Sequence, residues 1–579
     1  MTDHRVWKLP ESAPDPAELA AAWTRVVENG LRAMQARPAA SFAFDPTAPA
    51  RAMFEFQTQL WSNPMAVLQA SQAAASEWME LWSAAARRAA GAEVAPVIEP
   101  ARGDRRFGDP AWSEDPAFDY LKQAYLLASR QAADLVANAE GIDEDTRTRA
   151  EFFTTAYLNA LSPANFAFTN PEAIRRAIDT GAISLLSGLA NLLADAATDA
   201  KLPVRRASAG FELGKDIAAT PGSVVFQNEL MQLIQYAPAT ETVHRRPLLY
   251  VPPLVNKYYL LDLQPRSSLI RWLVEQGHTL FVISWVNPGP ELAGKGLDDY
   301  LDEGPLAALE VIEKATGEKE VDLFGFCMGG TLAAMAASKN SRLEKRDSPS
   351  FSSLTTIGSM FDFSNMGQWA TFTEPAQLAA MEKHLEAKGV LAAHELQALF
   401  SLVRANDLIW SSVVSHYLLD KEAPPSDILH WFADGAHIPK AFLLDWVGKI
   451  IRDNGLTRAG ALAFDAPAMV ISLKDDHVSA WQATYDGARL LGGDTRFLLG
   501  GSGHNAGVIN PPAANKHGYW TNEKMPPTAE EWLETATRHE GSWWPEWQAW
   551  LVRDGGERVK ARKPRKGIEP APGSYVRMR

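Results

Sequence analysis

The sequence predicts an α/β protein, with a parallel sheet covered by helices on both faces and a mostly helical domain preceding it. From Arg245 onward, short apolar runs alternate with amphipathic segments, which is typical of strands joined by crossover helices. Before about residue 200 the chain is instead rich in Ala, Glu, Gln, Leu and Met at helical spacing. Hydrophobic residues make up 46% of the 579 positions and charged residues 22%, so a large core can form and intrinsic disorder is excluded.

The order of the elements also predicts the domains. Each strand is a short apolar or β-branched run, and each helix has an apolar stripe at the helical period. In chain order, we predict a strand at 248–251, a helix at 264–276, a strand at 279–285, a helix at 306–316, and strands at 321–326, 468–473 and 495–499. The long gap before the last two strands predicts an insertion that caps the site. We assign residues 1–205 to a helical N-terminal domain, 206–579 to the α/β domain and 340–455 to the cap insertion.

Charge and hydropathy narrow the range of partners. The net charge is −14, although residues 558–579 hold eight Lys or Arg and one acidic residue, so the acidic body argues against nucleic acid as a required partner. We interpret the basic tail as a solvated terminus rather than an anion-binding segment.

The N-terminal residues lack an apolar stretch resembling a signal peptide, and the run 180–194 is too short and too polar to cross a bilayer. We therefore expect a cytoplasmic protein without a transmembrane segment.

The single cysteine is the candidate nucleophile. Cys327 lies in a Gly-x-Cys-x-Gly pattern, with Gly325 and Gly329 on its two sides, between a predicted strand and a predicted helix. Small residues permit the sharp turn of a nucleophile elbow, and the partial positive charge at the helix start favours a thiolate. The backbone N–H of Met328 can face a developing oxyanion there. The alternative is a buried cysteine that only packs beside glycines.

The acid and the base are predicted from the ends of two later strands. Asp475 and Asp476 follow the strand at 468–473, and His504 lies in a glycine-rich loop after the strand at 495–499. The chain order nucleophile, acid, base is that of the α/β-hydrolase fold. His477 is the rival candidate for the base.

Two other patterns near these residues resemble a metal site and a cofactor site, but we interpret neither as one. The cluster 475–477 has no second group of ligands, so we predict no metal ion. Residues 501–506 match a dinucleotide-binding pattern, but Pro511 and Pro512 interrupt the helix that such a site requires. We therefore predict a catalytic site without a metal ion or a cofactor.

At these residues the sequence resembles the single-subunit class I polyhydroxyalkanoate synthases, which make short-chain polyesters such as poly-3-hydroxybutyrate. The resemblance runs from about residue 103 to the C-terminus. The segments that carry it are Arg105–Trp112, Ser162–Asn165, Thr220–Gly222, Val251–Lys257, Gly325–Thr331, Arg404–Leu408, Asp475–His477, Gly503–Pro512, Gly541–Pro545 and Pro572–Val576. The first hundred residues are similar to the family only in their helical character.

The resemblance implies the roles of individual residues. Cys327 is the implied nucleophile, His504 the base and Asp476 the acid, with the N–H groups of Met328 and Val255 around the oxyanion. Whether Asp476 activates a hydroxyl directly or through His504 stays open at this point. The resemblance also links Trp431 to the substrate channel or dimer region, and a purely structural place in the core is the equal alternative.

The resemblance also implies partners and reaction. The substrates would be (R)-3-hydroxyacyl-CoA, most simply 3-hydroxybutyryl-CoA, and the growing polyester chain, with coenzyme A as the leaving group and no cofactor. Class I enzymes are similar in forming homodimers, and the implied place is the surface of cytoplasmic polyester granules. Two alternatives remain at this level: a thioesterase, esterase or polyester depolymerase of the same fold, and a noncatalytic granule-coating protein.

Overall fold

The computed structural model of the chain describes residues 15–36, 43–62, 64–198, 210–343, 348–422, 424–553, 557–564 and 567–579. The chain divides into two compact units. The helical unit comprises 1–206, 367–381 and 394–424, and the α/β unit comprises 207–366, 382–393 and 425–579. The domain boundary predicted at 205/206 lies outside the described residues, and the predicted domain division stays a prediction.

The helices follow the apolar periodicity of the sequence, and several begin at capping residues. Their bounds are α1 Pro16–Gln35, α2 Ala48–Leu60, α3 Pro64–Ala89, α4 Ala111–Glu114, α5 Pro116–Ala137, α6 Glu144–Ala160, α7 Pro171–Asp179, α8 Ile183–Ala196, α9 Leu269–Glu275, α10 Leu297–Leu301, α11 Ala307–Thr316, α12 Met328–Ser341, α13 Pro375–Lys388, α14 Ala393–Val403, α15 Asp427–Ala433, α16 Lys440–Asp445, α17 Trp481–Ala488, α18 Ala529–Thr535 and α19 Trp544–Arg553. In α5, for example, Asp115 accepts hydrogen bonds from the N–H groups of Ala117 and Phe118, and Pro116 occupies the first turn.

Within the described residues, every strand belongs to the α/β unit. Their bounds are β1 Gly222–Gln227, β2 Met231–Tyr236, β3 Thr242–His244, β4 Leu248–Val251, β5 Leu280–Trp285, β6 Glu320–Phe326, β7 Ser350–Ile357, β8 Val390–Leu391, β9 Ile438–Pro439, β10 Ala468–Leu473, β11 Thr495–Gly500, β12 Tyr519–Thr521, β13 Thr537–His539, β14 Arg558–Lys560 and β15 Glu569–Pro570.

One large sheet organises the α/β unit. Eleven strands lie in the order β13-β12-β11-β10-β7-β6-β4-β5-β2-β1-β15. The six strands from β11 to β5 are parallel, and antiparallel strands extend both edges. Strands β4, β5 and β10 are buried along their whole length, as their continuous apolar sequences predict for a sheet covered on both faces. The structure thus confirms the predicted α/β class.

Strand β7 corrects the predicted start of the cap. It lies within the predicted insertion 340–455, yet it pairs with β6 and β10 in the centre of the sheet. Its Ser and Thr residues concealed it from a search for apolar runs. Ser352 and Ser353 satisfy their hydroxyls by donating to the buried carboxylate of Asp322, at 3.0 and 2.7 Å. Residues 350–357 therefore belong to the sheet, and the cap insertion itself stays a prediction.

In the described part of the basic C-terminal tail, 557–564 and 567–579, the backbone forms strands, while most of the basic side chains are exposed. Strand β14 pairs with β3, and β15 pairs with β1 at the edge of the large sheet. The hydroxyl of Tyr575 donates to the carbonyl of Asn228 at 2.7 Å. Charge alone did not reveal these short backbone pairings.

The helical unit is built from pairs of packed helices: α1 with α8, α2 with α6, and α3 with α5. A close backbone approach requires Gly188 in α8, because a Cβ there would lie 1.8 Å from the carbonyl oxygen of Tyr417. Among the described residues, no single helix is long and apolar enough to span a membrane. Only α7 and α8 taken together meet that test, and they meet at a bend of 112°.

Candidate active site

The nucleophile elbow forms where β6 meets α12. Cys327 is half-buried and has φ +54° and ψ −132°, a strained conformation for a residue with a side chain. Its N–H donates to the carbonyl of Ile357 at the end of β7, at 2.8 Å. This backbone conformation places the thiol at the carboxyl edge of the parallel strands, in front of the N-terminus of α12.

The glycines around Cys327 are required by close contacts. A Cβ at Gly325 would lie 2.4 Å from the carbonyl oxygen of Gly329, and one at Gly329 would lie 2.2 Å from that of Val251. A Cβ at Gly330 would lie 2.0 Å from the hydroxyl oxygen of Ser359. The elbow is therefore packed directly against the loops that follow β4 and β7.

His504 and Asp476 form a buried pair beside the elbow. His504 Nδ1 lies 2.6 Å from Asp476 Oδ2, and the two side chains are 7% and 0% exposed. The other carboxylate oxygen of Asp476 accepts hydrogen bonds from the N–H groups of Val478 and Ser479, at 2.8 and 2.9 Å. Since Nδ1 faces Asp476, Nε2 is the ring atom left for proton exchange with Cys327, whose side chain acts on the pKa of the ring.

The electrostatics of this cluster favour a charged imidazole. Burial by itself lowers the pKa of His504, but the carboxylate of Asp476 and then the charge and hydrogen bond of Cys327 outweigh burial and raise this pKa to about 10. Two further groups enclose the ring: Phe326 contacts it at 4.8 Å between centroids, and a Cβ at Gly358 would lie 3.3 Å from its Cε1 atom. The arrangement can therefore hold an imidazolium beside the Cys327 side chain.

The rival residues lie differently. Asp475 and His477 are both exposed, whereas Asp476 between them is buried against His504. The structure therefore brings Cys327, His504 and Asp476 together and leaves the two rivals at the surface. Among the residues that the structure describes, no group of three or more His, Cys, Asp or Glu side chains is placed to hold a metal ion.

The loop after β4 carries Val255, the second predicted oxyanion donor, and it is held by the segment that follows α15. The carbonyl of Val255 accepts from the N–H of Ala436 at 3.2 Å. The ammonium of Lys257 donates to Asp434 at 2.7 Å and to the carbonyl of Met578 at 2.9 Å. An ion pair and the C-terminus thus stabilise the loop that packs against the elbow.

Trp431 is part of the core of the α/β unit. It is 4% exposed, and its indole N–H donates to the carbonyl of Lys257 at 2.7 Å. This position agrees with the structural alternative for Trp431, while its link to a channel or dimer contact stays a prediction.

Comparison with known proteins decides the family. A family model described as "Poly-beta-hydroxybutyrate polymerase (PhaC) N-terminus" matches residues 103–273, and one described as "alpha/beta hydrolase fold" matches residues 256–511. The poly(3-hydroxyalkanoate) polymerase of Methylorubrum extorquens is 40% identical over 89% of this chain and 88% of that protein. The polymerase subunit PhaC of Rhizobium etli is 37% identical over 97% and 92%, and that of Cupriavidus necator 39% identical over 82% and 83%.

The chain belongs to the poly(3-hydroxyalkanoate) polymerase family. This confirms the resemblance seen in the sequence and the α/β-hydrolase fold of residues 256–511. The protein is an acyltransferase of polyhydroxyalkanoate synthesis, and the noncatalytic alternative is set aside.

In this member of the polymerase family, the structure adds contacts that sequence analysis did not assign. Gly358 backs the histidine ring, and Lys257 pairs with Asp434 below the Val255 loop. The indole N–H groups of Trp543 and Trp544 donate to the carbonyls of Gly507 and Val508 in the histidine loop. Lys257 and both tryptophans lie in segments that carry the family resemblance, but spacing alone could not show what they contact.

Proposed function

We propose that the enzyme polymerises (R)-3-hydroxyacyl-CoA, with 3-hydroxybutyryl-CoA as the preferred substrate, through an acyl-cysteine intermediate and with release of coenzyme A. The observation that supports this most directly is the cluster in which His504 contacts both Asp476 and the only cysteine of the chain, Cys327. A thiol, a base and a buried carboxylate are the groups that acyl transfer through a covalent intermediate requires.

The first step acylates the enzyme. His504 takes the thiol proton, and the Cys327 thiolate attacks the carbonyl carbon of the substrate thioester. The backbone N–H groups of Met328 and Val255 would stabilise the oxyanion. When the intermediate collapses, the carbon–sulfur bond to coenzyme A breaks, and the His504 imidazolium gives its proton to the departing thiolate.

The second step extends the chain. The 3-hydroxyl of another unit attacks the acyl-cysteine, His504 accepts the hydroxyl proton, and the Cys327 thiolate is released. A thioester on the enzyme is about as reactive as the thioester just broken, so the transfer potential is retained. A serine in this place would form an oxygen ester, which would dissipate that potential.

Asp476 acts through His504 in this scheme. Its side chain is 0% exposed, one oxygen contacts His504, and the other accepts from two backbone N–H groups. A carboxylate enclosed in this way has no face open to an incoming hydroxyl. It orients the ring and stabilises the imidazolium that forms in each step.

The chemistry proposed here needs no metal ion or cofactor, since coenzyme A enters as part of the substrate and leaves as a thiol. The chain has one cysteine, so a growing chain either alternates between the thiols of two protomers or passes through noncovalent intermediates. The proposal includes a homodimer, as the family resemblance implies, and equilibrium sedimentation at working concentration tests it.

The proposal places the enzyme on the surface of cytoplasmic polyester granules, with the helical unit in contact with product. Helix α1 supports this with a row of exposed apolar side chains along one face. These are Trp23, Val27, Leu31 and Met34, and each is at least 52% exposed. Apolar surface of this kind on a soluble helix marks a contact site, and an insoluble polyester is the apolar material that this enzyme generates.

Incubation with (R)-3-hydroxybutyryl-CoA tests the function. We expect release of coenzyme A, an insoluble polymer, and an acyl group on the peptide that contains Cys327, detected by mass spectrometry after acid quench. Longer 3-hydroxyacyl-CoAs should react more slowly, and Cys327→Ala should release no coenzyme A. Release of coenzyme A with only free 3-hydroxy acid would instead identify a thioesterase and overturn the proposal.

A further inference from the structure

Two tryptophans hold the loop that carries His504. Trp543 Nε1 donates to the carbonyl of Gly507 at 2.8 Å, and Trp544 Nε1 donates to the carbonyl of Val508 at 3.0 Å. Both side chains are buried, at 0% and 1% exposure. Each indole thus uses its single polar hydrogen on one of two consecutive carbonyls of the loop.

These carbonyls lie directly beyond a tight turn around the histidine. The N–H of Gly507 donates to the carbonyl of Gly503 at 2.7 Å, so His504 is enclosed within one short turn. Gly507 has no room to shift, because a Cβ there would lie 2.7 Å from the carbonyl oxygen of Gly501 and from Leu473 Cδ2. A displacement of Gly507 or Val508 would therefore move the backbone that sets the direction of the imidazole.

Helix α19, which begins at Trp544 directly after Trp543, is fixed to the strands beneath the nucleophile. Trp547 of α19 packs on Phe324 of β6 at 5.2 Å between ring centroids. Its N–H donates to the hydroxyl oxygen of Thr355 in β7 at 3.0 Å. Strand β6 leads directly to Cys327. Helix α19 therefore fixes the position of the histidine loop relative to the strand that leads to the thiol.

We propose that Trp543 and Trp544 are positioning residues, which hold the imidazole of His504 at the distance and angle needed for proton transfer with Cys327. This inference rests on the proposed function, in which His504 is the base. A phenylalanine could fill most of the same space, but it would leave the carbonyls of Gly507 and Val508 without these donors. The indole N–H, rather than the ring alone, is the part that acts on the site.

The test compares three single variants of the full-length enzyme: Trp543→Phe, Trp544→Phe and, as a matched control, Trp550→Phe. Trp550 lies on the same helix and is buried, but within the described part of the chain its indole N–H has no hydrogen-bond partner. We expect kcat to fall about tenfold in each of the first two variants, with KM within about twofold of wild type, because a small misplacement of a base slows proton transfer. Trp550→Phe should keep the wild-type kcat.

A second measurement separates positioning from stability. The pH profile of Cys327 alkylation by iodoacetamide reports the thiol–imidazole pair, and it should shift in Trp543→Phe and Trp544→Phe but not in Trp550→Phe. A lower Tm with an unchanged kcat and an unchanged profile would assign the two tryptophans to the core alone and overturn the inference. Equal loss of the folded state in all three variants would also overturn the inference.

His504→Gln keeps this inference separate from the proposed function. If that variant is inactive while Trp543→Phe and Trp544→Phe behave like wild type, only the positioning role fails. If His504→Gln keeps normal turnover, the assignment of the base fails first.

Discussion

The two compact units differ in how many of their large apolar side chains are exposed. Among the described residues, twenty large hydrophobic side chains are exposed, and seventeen of them belong to the helical unit. Met34 is 84% exposed and Phe168 88% exposed in that unit. The α/β unit, in contrast, buries whole strands and keeps the His504–Asp476 pair almost out of solvent. A dry interior suits acyl transfer, whereas an apolar exterior suits contact with an insoluble product.

Helices α1 and α8 leave apolar residues exposed because polar groups occupy part of the face where these two helices meet. Where α1 packs on α8, Asn29 donates to the carbonyl of Ala190 at 2.9 Å, and Arg25 donates to Asn191 at 2.7 Å. Leu189 and Leu192 of α8 consequently remain 41% and 44% exposed. An apolar sequence period therefore predicts a helix, but the partner helix decides which face is covered.

The largest effect should come from the α/β unit. His504→Gln removes the base, so we expect turnover of 3-hydroxybutyryl-CoA to fall at least about a hundredfold, the usual scale of positioned proton transfer. Binding to polyester particles should stay unchanged, because most of the exposed apolar residues lie in the other unit. Steady-state release of coenzyme A and a particle-sedimentation assay measure the two quantities. Near-normal turnover would move the role of base to His477.

A somewhat smaller loss should follow at Asp476. Asp476→Asn leaves the thiol and imidazole in place but removes the charge that stabilises the imidazolium, so turnover should fall about ten- to a hundredfold. Because Asp476 acts through His504, acylation and elongation should slow together. Rapid-quench measurement with radiolabelled 3-hydroxybutyryl-CoA resolves the two steps.

The neighbouring carboxylate supplies the control for that experiment. Asp475 is exposed, so Asp475→Asn should behave nearly like wild type. A fast burst of coenzyme A followed by a trapped acyl-enzyme in Asp476→Asn would show that this carboxylate activates the hydroxyl directly.

The next effect tests the other unit. Replacing Trp23, Val27 and Leu31 of α1 by Ser removes exposed apolar area, so the affinity for polyester particles should fall about tenfold or more. The rate of the first acylation by soluble substrate should stay within about twofold of wild type.

Its control carries three Ser substitutions at exposed polar positions of the same helix, Thr24, Glu28 and Gln35. That variant should bind particles as wild type does. Equal particle binding by both triple variants would contradict the prediction that the exposed apolar residues of α1 contact the polyester.

The smallest effect concerns acid stability of the α/β unit. Burial lowers the pKa of His278 to about 4, below its ordinary 6.5, although Gln548 partly opposes this through a hydrogen bond. The unfolded chain therefore takes up a proton at a higher pH than the folded protein. The stability that neutral His278 contributes is complete above about pH 6.5 and declines as the pH falls toward 4.

From pH 7 to pH 5 we expect His278 to reduce the free energy of unfolding by about 2 kcal/mol, as measured by urea denaturation. His278→Gln should flatten this dependence. His504 has the opposite sign, because its pKa is raised to about 10, so its contribution is complete below about pH 6.5 and is lost as the pH rises toward 10. An unchanged pH dependence in His278→Gln would contradict the assignment.

The sequence by itself determined the fold class, the elbow and the order of the chemical groups. Strands β4 and β10 have the predicted bounds, and β6 begins one residue earlier than predicted, because buried parallel strands read as continuous apolar runs. Gly325 and Gly329 on either side of Cys327 revealed the sharp turn, since only glycine tolerates the close backbone contacts there.

Only the tertiary structure decided which of several candidates meet. Asp475 and Asp476 are adjacent in the chain, but the turn after β10 buries one against His504 and leaves the other exposed. Strand β7 and the folded C-terminal tail escaped prediction because their polar residues are satisfied by partners distant in sequence, such as Asp322 for Ser353. The same holds for the indole bonds of Trp543 and Trp544: local periodicity reports which residues are apolar, whereas long-range hydrogen bonds exist only once the chain has folded.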